Sequence, residues 1–154
     1  MQIKPDTLHK FSERYHLVGA VLVLLIRDGK ILMLLRRNKF DAGFYNVPGG
    51  CMEDGESVAA AAVREVYEET GLQIVPEDLR VVSVLNRKIP GEWQSVEFVV
   101  VADKFDGEPI NREIDKSAEL HWFPLDELPI NISRYAATAI SNFKTGTIFS
   151  EIDY

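Results

Sequence analysis

The sequence predicts an α/β protein, a mixed sheet covered by helices. Two observations lead there. Apolar residues are patterned for strands, then a helix, then strands again, then a second helix, and that order suits layered packing around a sheet. The length of 154 residues suits one domain, residues 1–154, large enough to bury a core. Apolar residues make up 46% and charged residues 27%, without a low-complexity tract, which is the composition of an ordinary soluble globular protein.

Residues 1–16 are mixed and polar, a turn of helix or a lead-in to a strand. His9 and His16 lie there without ligand-like spacing, so surface or structural roles are expected. Residues 17–27, LVGAVLVLLIR, are apolar on both faces and read as a central strand. That apolar run is too short to span a bilayer, and MQIKPDTLHK has no signal-peptide core, so a cytoplasmic protein is expected. Asp28-Gly29 is a hairpin signal, and residues 30–37 return as the partner strand. The Gly- and Asp-bearing loop over 38–45 leads into Asn46-Val47-Pro48, a natural place for substrate contacts.

Residues 50–72, GCMEDGESVAAAAVREVYEETGL, hold six carboxylates against one cation, Arg64. Such a concentration repels itself unless a cation neutralises it. Ser57 is a good N-cap, the run from Val58 forms helix readily, and Gly71 suits a left-handed C-cap, which predicts a helix of about 13 residues. Glu65, Glu68 and Glu69 then share one face. Ala59, Ala62, Val63, Val66, Tyr67 and Thr70 form the stripe expected on the core. Clustered hard oxygen ligands suit Mg²⁺ working with a phosphate substrate; the alternative is a merely solvated acidic face. Cys51 is the single cysteine, which excludes an internal disulfide and fits a reducing compartment, and its acidic neighbours disfavour a reactive thiol.

A short strand is expected at 73–75, a turn at 76–78, and a hairpin of 79–89 and 93–105 around Pro90-Gly91. Glu97, inside that apolar strand, needs a partner or a cleft. A loop opens at Asp106-Gly107, a short strand covers 120–123, and a terminal helix runs over 134–144 with Tyr135, Ala139, Ile140 and Phe143 on one face, ended by Gly146. His121 alternates with Trp122 and is expected on the opposite side. Trp122 and Phe123 either line a base pocket or pack core. The net charge of −7 argues against a nucleic-acid polymer as partner.

The 50–72 segment resembles the Nudix box: a glycine, five residues, a glutamate, seven residues, then R-E-U-x-E-E-x-G-U with U a bulky aliphatic. Gly50, Glu56, Arg64, Glu65, Val66, Glu68, Glu69, Gly71 and Leu72 match it at every fixed position. The tail GEPINREIDKSAELHWFPLDELP is similar to small bacterial MutT-like members. The resemblance implies the Nudix fold, an α/β/α sandwich with a mixed central sheet and a loop-helix-loop. It also implies a hydrolase that splits a nucleoside diphosphate linked to a group X. By the same resemblance Glu68 and Glu69 bind Mg²⁺ (Mn²⁺ able to substitute), joined by Glu65 and the Gly50 carbonyl. Glu65 is the first choice of general base; a glutamate outside the box serves in some members, with Glu97 and Glu119 the candidates. Arg64 orients Glu68, and Glu56 braces the loop or a second metal.

Arg36, Arg37 and Lys39, or Arg87 and Lys88, are candidates for phosphate contacts, though surface cations usually have no such role. Tyr45 offers a ring for stacking and Asn46 a base contact, the plainer alternative being that Asn46 merely begins a strand. The leading expectation is a nucleoside triphosphate, oxidised or non-standard, cut to monophosphate and pyrophosphate. The second is ADP-ribose or a nucleotide sugar, disfavoured by the short N-terminus; the third is a nucleotide-binding sensor without turnover. The partner is a small nucleotide, with neither membrane nor nucleic-acid polymer, and the chain a monomer or homodimer.

Overall fold

The computed structural model describes residues 15–38, 41–89 and 91–153. The chain runs β1 (Val18–Arg27), β2 (Lys30–Arg36), β3 (Tyr45–Asn46), β4 (Gly49–Cys51), α1 (Val58–Thr70), β5 (Leu79–Ile89), β6 (Trp93–Ala102), β7 (Ser117–Pro124), α2 (Arg134–Thr145) and β8 (Phe149–Asp153). A 3₁₀ turn at Pro76–Asp78 precedes β5. The sheet order is β3-β2-β1-β6-β5-β8, with β4 added to β1 and β7 to β2. β1 is parallel to β6 and β5 to β8, while the other pairs are antiparallel, so the sheet is mixed as expected.

Period-two alternation in the apolar strands builds two core layers. Leu22, Leu24, Ile31, Met33, Val99 and Val101 point to one face and meet Tyr135, Ala136, Ala139 and Ile140 of α2. Val23, Leu25, Leu32, Val100 and Ala102 point to the other and meet Ala62 and Val66 of α1. The result is the α/β/α sandwich. Burying each Leu or Val in these layers contributes about 1.5–3 kcal/mol. The β1–β2 hairpin turns through Asp28 and Gly29 at φ 51 and 71, both left-handed, the geometry that Asp-Gly favours. No helix among the described residues is long and apolar enough to cross a membrane.

β1 organises everything near the site. One edge pairs with β6 from Val18 to Leu25. Its other edge pairs with β4 at Ala20, Val21 and Leu22 and reaches β2 only at Ile26 and Arg27.

Several sequence expectations are corrected. Residues 73–75 form no strand; Gln73 makes one isolated bridge to Asp106. β6 ends at Ala102 and β7 is longer than expected at both ends. Tyr67 is exposed with the Arg112 guanidinium 4.3 Å over its ring, and Ala61 and Glu69 take its place on the buried side of α1. β3, β4 and β8 escape a periodicity argument because they are short, held by neighbours rather than by their own pattern. Trp122 and Phe123 face opposite layers, so they do not line one pocket; His121 packs against Phe123 at 4.5 Å, away from Trp122. His9 and Lys39 lie outside the described residues, and His16 is exposed.

Candidate active site

The loop into α1 is fixed by close backbone approach. Val23 N–H donates to the Pro48 carbonyl at 2.7 Å, and β4 follows along β1. A Cβ on Gly49 would lie 2.1 Å from the Val21 carbonyl oxygen, so no larger residue fits without moving backbone. At Gly50 a Cβ would lie 2.4 Å from Glu65 Oε1, so the Glu65 carboxylate rests on the glycine itself. Ser57 caps α1 by accepting the Ala60 N–H at 3.1 Å, and Gly71 closes it at φ 71.

Arg64 is the hub of the acidic segment. Its Nε and Nη2 each donate to Glu56 at 2.9 Å, a bidentate pair. Its Nη1 reaches Glu65 at 2.7 Å and Glu68 at 3.3 Å, and Nη2 also donates to the Cys51 carbonyl at 3.0 Å. Glu56 is therefore its principal partner, ahead of Glu68. The Glu56 carboxylate also accepts the Glu53 N–H at 2.9 Å, so it braces the loop. Hydrogen bonding to Arg64, then to Glu53, pulls the Glu56 carboxyl down to about 2.

Glu65 and Glu69 are perturbed the other way. Burial pushes the Glu65 carboxyl above its ordinary range against the pull of Arg64, with Glu68 and Glu113 adding to the rise. Glu69 is 5% exposed and accepts one bond, from the Gly49 N–H at 2.9 Å. Burial pushes it up to about 8; Gly49 and Arg36 oppose the rise, Glu65 and Glu113 add to it. A buried carboxylate so little compensated is a place for a cation.

The sequence missed Glu113 and Lys116. Between β6 and β7 the chain lies along the C-terminal end of α1, Ile110 N–H donating to the Thr70 carbonyl at 2.8 Å and Arg112 N–H to that of Glu69 at 3.2 Å. This brings Glu113 within the field of Glu65 and Glu69, with Lys116 paired to it at 2.6 Å and feeling the same two carboxylates. Nothing in the local pattern NREIDKSAE marks one acid over another; only the loop's path does.

The two acids named as outside candidates are placed elsewhere. Glu97 is buried on the α2 face with Arg87 at 2.6 Å and Ser95 at 3.0 Å. Glu119 is exposed and accepts the Tyr45 hydroxyl, whose pKa burial and then Glu119 push up to about 12. Tyr45 meets Phe123 edge-on at 4.8 Å, so its ring packs in the fold. Asn46 is buried, its side-chain carbonyl accepting the Ser133 hydroxyl. Arg36 donates to Asn38 at 3.0 Å and its charge reaches Glu69. Arg37 is exposed and holds the Lys116 carbonyl through its backbone N–H at 2.8 Å. Arg87 is engaged with Glu97, and Lys88 is exposed.

Among the described residues no three acidic, histidine or cysteine side chains converge as a ready cation cage. Glu65 and Glu68 are turned onto Arg64, and Glu69 onto Gly49. The donor set still fits a hard divalent ion. It offers carboxylate oxygens, a backbone carbonyl at Gly50, a glycine against which the Glu65 carboxylate lies, and a buried acid only partly compensated by Gly49 and Arg36.

Comparison with known proteins places these features. A family model described as the NUDIX domain matches residues 16–143. The chain is 37% identical over 128 residues to a protein named ADP-ribose pyrophosphatase from Methanocaldococcus jannaschii, covering 82% of this chain and 73% of that one. It is 30% identical over 111 residues to an oxidized purine nucleoside triphosphate hydrolase from Danio rerio, covering 71% and 68%. Among solved structures, a MutT NUDIX hydrolase from Burkholderia pseudomallei superimposes with a TM-score of 0.77 at 30% identity, covering 82% of this chain and 98% of that one.

Proposed function

The chain belongs to the Nudix hydrolase family, and from that premise we propose that it is a Mg²⁺-dependent pyrophosphohydrolase of nucleoside triphosphates, releasing the monophosphate and pyrophosphate, with Mn²⁺ able to substitute. The observation that carries this is the buried, undercompensated Glu69 together with Glu65, whose carboxylate rests directly on Gly50.

Glu65, Glu68, Glu69 and the Gly50 carbonyl are the groups that would hold the ion. When bound it supplies neutralisation of phosphate charge and acidifies water. Glu65 is the group that accepts the proton of the attacking water: burial raises its basicity, and Arg64 Nη1 at 2.7 Å fixes the orientation of its carboxylate. Arg64 is a positioning residue, clamping Glu56 in the loop with one edge of its guanidinium and steadying Glu65 with the other. Glu113, within the field of both carboxylates, is a further acid for the same ion, and Lys116 beside it offers a positive charge to the departing phosphate. Arg36, whose charge reaches Glu69 and which pairs with Ser117 next to Lys116 in the sheet, is a second cation for phosphate oxygens.

A second reading is hydrolysis of ADP-ribose, favoured by the 37% identical relative of that name. The two separate in one assay: release of pyrophosphate or nucleoside monophosphate, with Mg²⁺, from ordinary and oxidised triphosphates, ADP-ribose, nucleotide sugars and dinucleoside polyphosphates. Pyrophosphate from a triphosphate well above all else supports the proposal; monophosphate from ADP-ribose with triphosphates inert replaces it. Glu68 is exposed and only weakly tied to Arg64, so Glu68→Gln should keep the melting temperature and lose roughly 10²-fold or more of turnover. Full activity in that variant would remove Glu68 from the ion site.

A further inference from the structure

On the α2 face lies a buried charged cluster that the hydrolysis chemistry does not use. Glu97 is 1% exposed. Its Oε1 takes both Arg87 Nη2 at 2.6 Å and the Ser95 hydroxyl at 3.0 Å, while Oε2 has no hydrogen-bond partner among the described residues. The Arg87 guanidinium is held between the rings of Trp93 and Tyr135, 4.6 and 4.2 Å from their centroids, and its buried Nε is likewise unpartnered. Nearby, Asn46 accepts the hydroxyl of Ser133, the cap of the helix that carries Tyr135, and leaves its own buried Nδ2 unpartnered.

Buried polar atoms in folded proteins are almost always satisfied, and a half-satisfied ion pair is a poor device for stability. Here one acceptor, Glu97 Oε2, and one donor, Arg87 Nε, are left open within a single ion pair, and a second donor, Asn46 Nδ2, is left open at the start of the helix whose Tyr135 covers Arg87, a pattern that asks for a ligand with the complementary edge. The neighbourhood also adjoins the ion site. In the sheet, Ala20 pairs with Cys51 on one side and Glu97 on the other, which puts Glu97 two strands, roughly 10 Å, from the head of the acidic segment. Arg36 spans the two: its charge acts on Tyr135 in the cluster and on Glu69 at the ion site. That separation matches the reach from the phosphates of a nucleotide to its base.

Resting on the triphosphate assignment above, we propose that Glu97, oriented by Arg87 and Ser95, is the residue that sets base specificity, and that it selects a base with a lactam edge. Such an edge, an N–H beside a carbonyl, is carried by guanine, hypoxanthine and uracil; adenine and cytosine present an amino group beside a bare ring nitrogen. The lactam N–H donates to Glu97 Oε2, and the adjacent carbonyl accepts from Arg87 Nε or Asn46 Nδ2. A ring N–H flanked by a carbonyl is a stronger donor than an amino group, and a charged acceptor strengthens the bond further. A well-matched base edge discriminates by roughly 10- to 100-fold.

The test is kcat and KM for GTP, ITP, UTP, ATP and CTP with Mg²⁺, on the whole protein and on Glu97→Gln, with melting temperatures for both. The wild-type protein is expected to favour the lactam triphosphates by about 10-fold or more, mainly through KM. Glu97→Gln is expected to collapse that ratio to about threefold by raising KM for the lactam set. Equal or better use of ATP and CTP by the wild-type protein overturns the proposal without any variant, as does a folded Glu97→Gln protein that loses the same factor on every substrate. Should triphosphates be inert and ADP-ribose be cleaved, the triphosphate assignment falls alone. The base preference is then read on ADP-ribose against its guanine and hypoxanthine counterparts, where an adenine preference overturns it.

Discussion

Replacing Glu69 with Gln should stabilise the metal-free protein at neutral pH and do nothing in acid. The folded-state carboxyl sits at about 8 against an ordinary 4.5, because burial disfavours its charge. Folding therefore takes up a proton wherever the unfolded chain is already ionised, and stability falls as pH rises from about 4.5 to about 8. At pH 7 the gap to the unfolded value is about 2.5 units, and at about 1.4 kcal/mol per unit taking up that proton on folding costs about 3 kcal/mol relative to acid. An amide keeps the acceptor for the Gly49 N–H and removes the ionisation. For a chain of 154 residues that is on the order of 10 °C in melting temperature. The measurement is thermal unfolding in a chelator from pH 4 to 8.5 for both proteins, repeated with Mg²⁺. The curves should coincide near pH 4 and separate steadily above it, and Mg²⁺ should raise the wild-type curve more than that of the variant. A Glu69→Gln protein no more stable than wild type at pH 7 in chelator would refute the reasoning, as would a wild-type stability flat from pH 5 to 8.

The two adjacent glycines should respond differently to the same change. Gly49→Ala drives a Cβ into the Val21 carbonyl, a backbone clash, and should cost more than about 2 kcal/mol in urea unfolding. Gly50→Ala meets only the end of the Glu65 side chain, so stability should stay within about 1 kcal/mol while turnover and Mg²⁺ affinity drop together. Arg64→Lys loses the bidentate clamp, so the Glu56 carboxyl, held at about 2, should titrate closer to 4.5 by NMR. Because that pKa is lowered in the fold, its contribution is present above about 4.5 and lost as pH falls toward 2; the variant should show a flatter acid limb in that window.

The helix of the acidic segment was legible to the residue, Val58–Thr70, because its cap, its helix formers and its terminal glycine all agree. The central strand and its hairpin were legible for a similar reason: ten residues of unbroken apolar pattern admit little else. What was not legible depends on paths rather than patterns. Glu113 reaches the carboxylates only because the chain between β6 and β7 folds over the end of α1, and the order NREIDKSAE carries no trace of that. Glu97 was correctly marked as needing a partner or a cleft, but a strand residue shows its alternation and not which layer it joins. Tyr67 was placed on the core stripe by spacing alone; the stripe is rotated, and a guanidinium from a distant loop covers the ring instead.

Arg64 also sets terms of entry. A guanidinium that already bonds Glu56, Glu65 and Glu68 is an internal counter-ion, tethered and always present. Any ion arriving from solution competes with it for two of the three acids. Under the proposed function a divalent ion would have more to offer than a monovalent one, its larger charge meeting hard carboxylate oxygens. On the function proposed above, an ion would have to displace the guanidinium from Glu65 and Glu68, so its binding would be coupled to a release of Arg64.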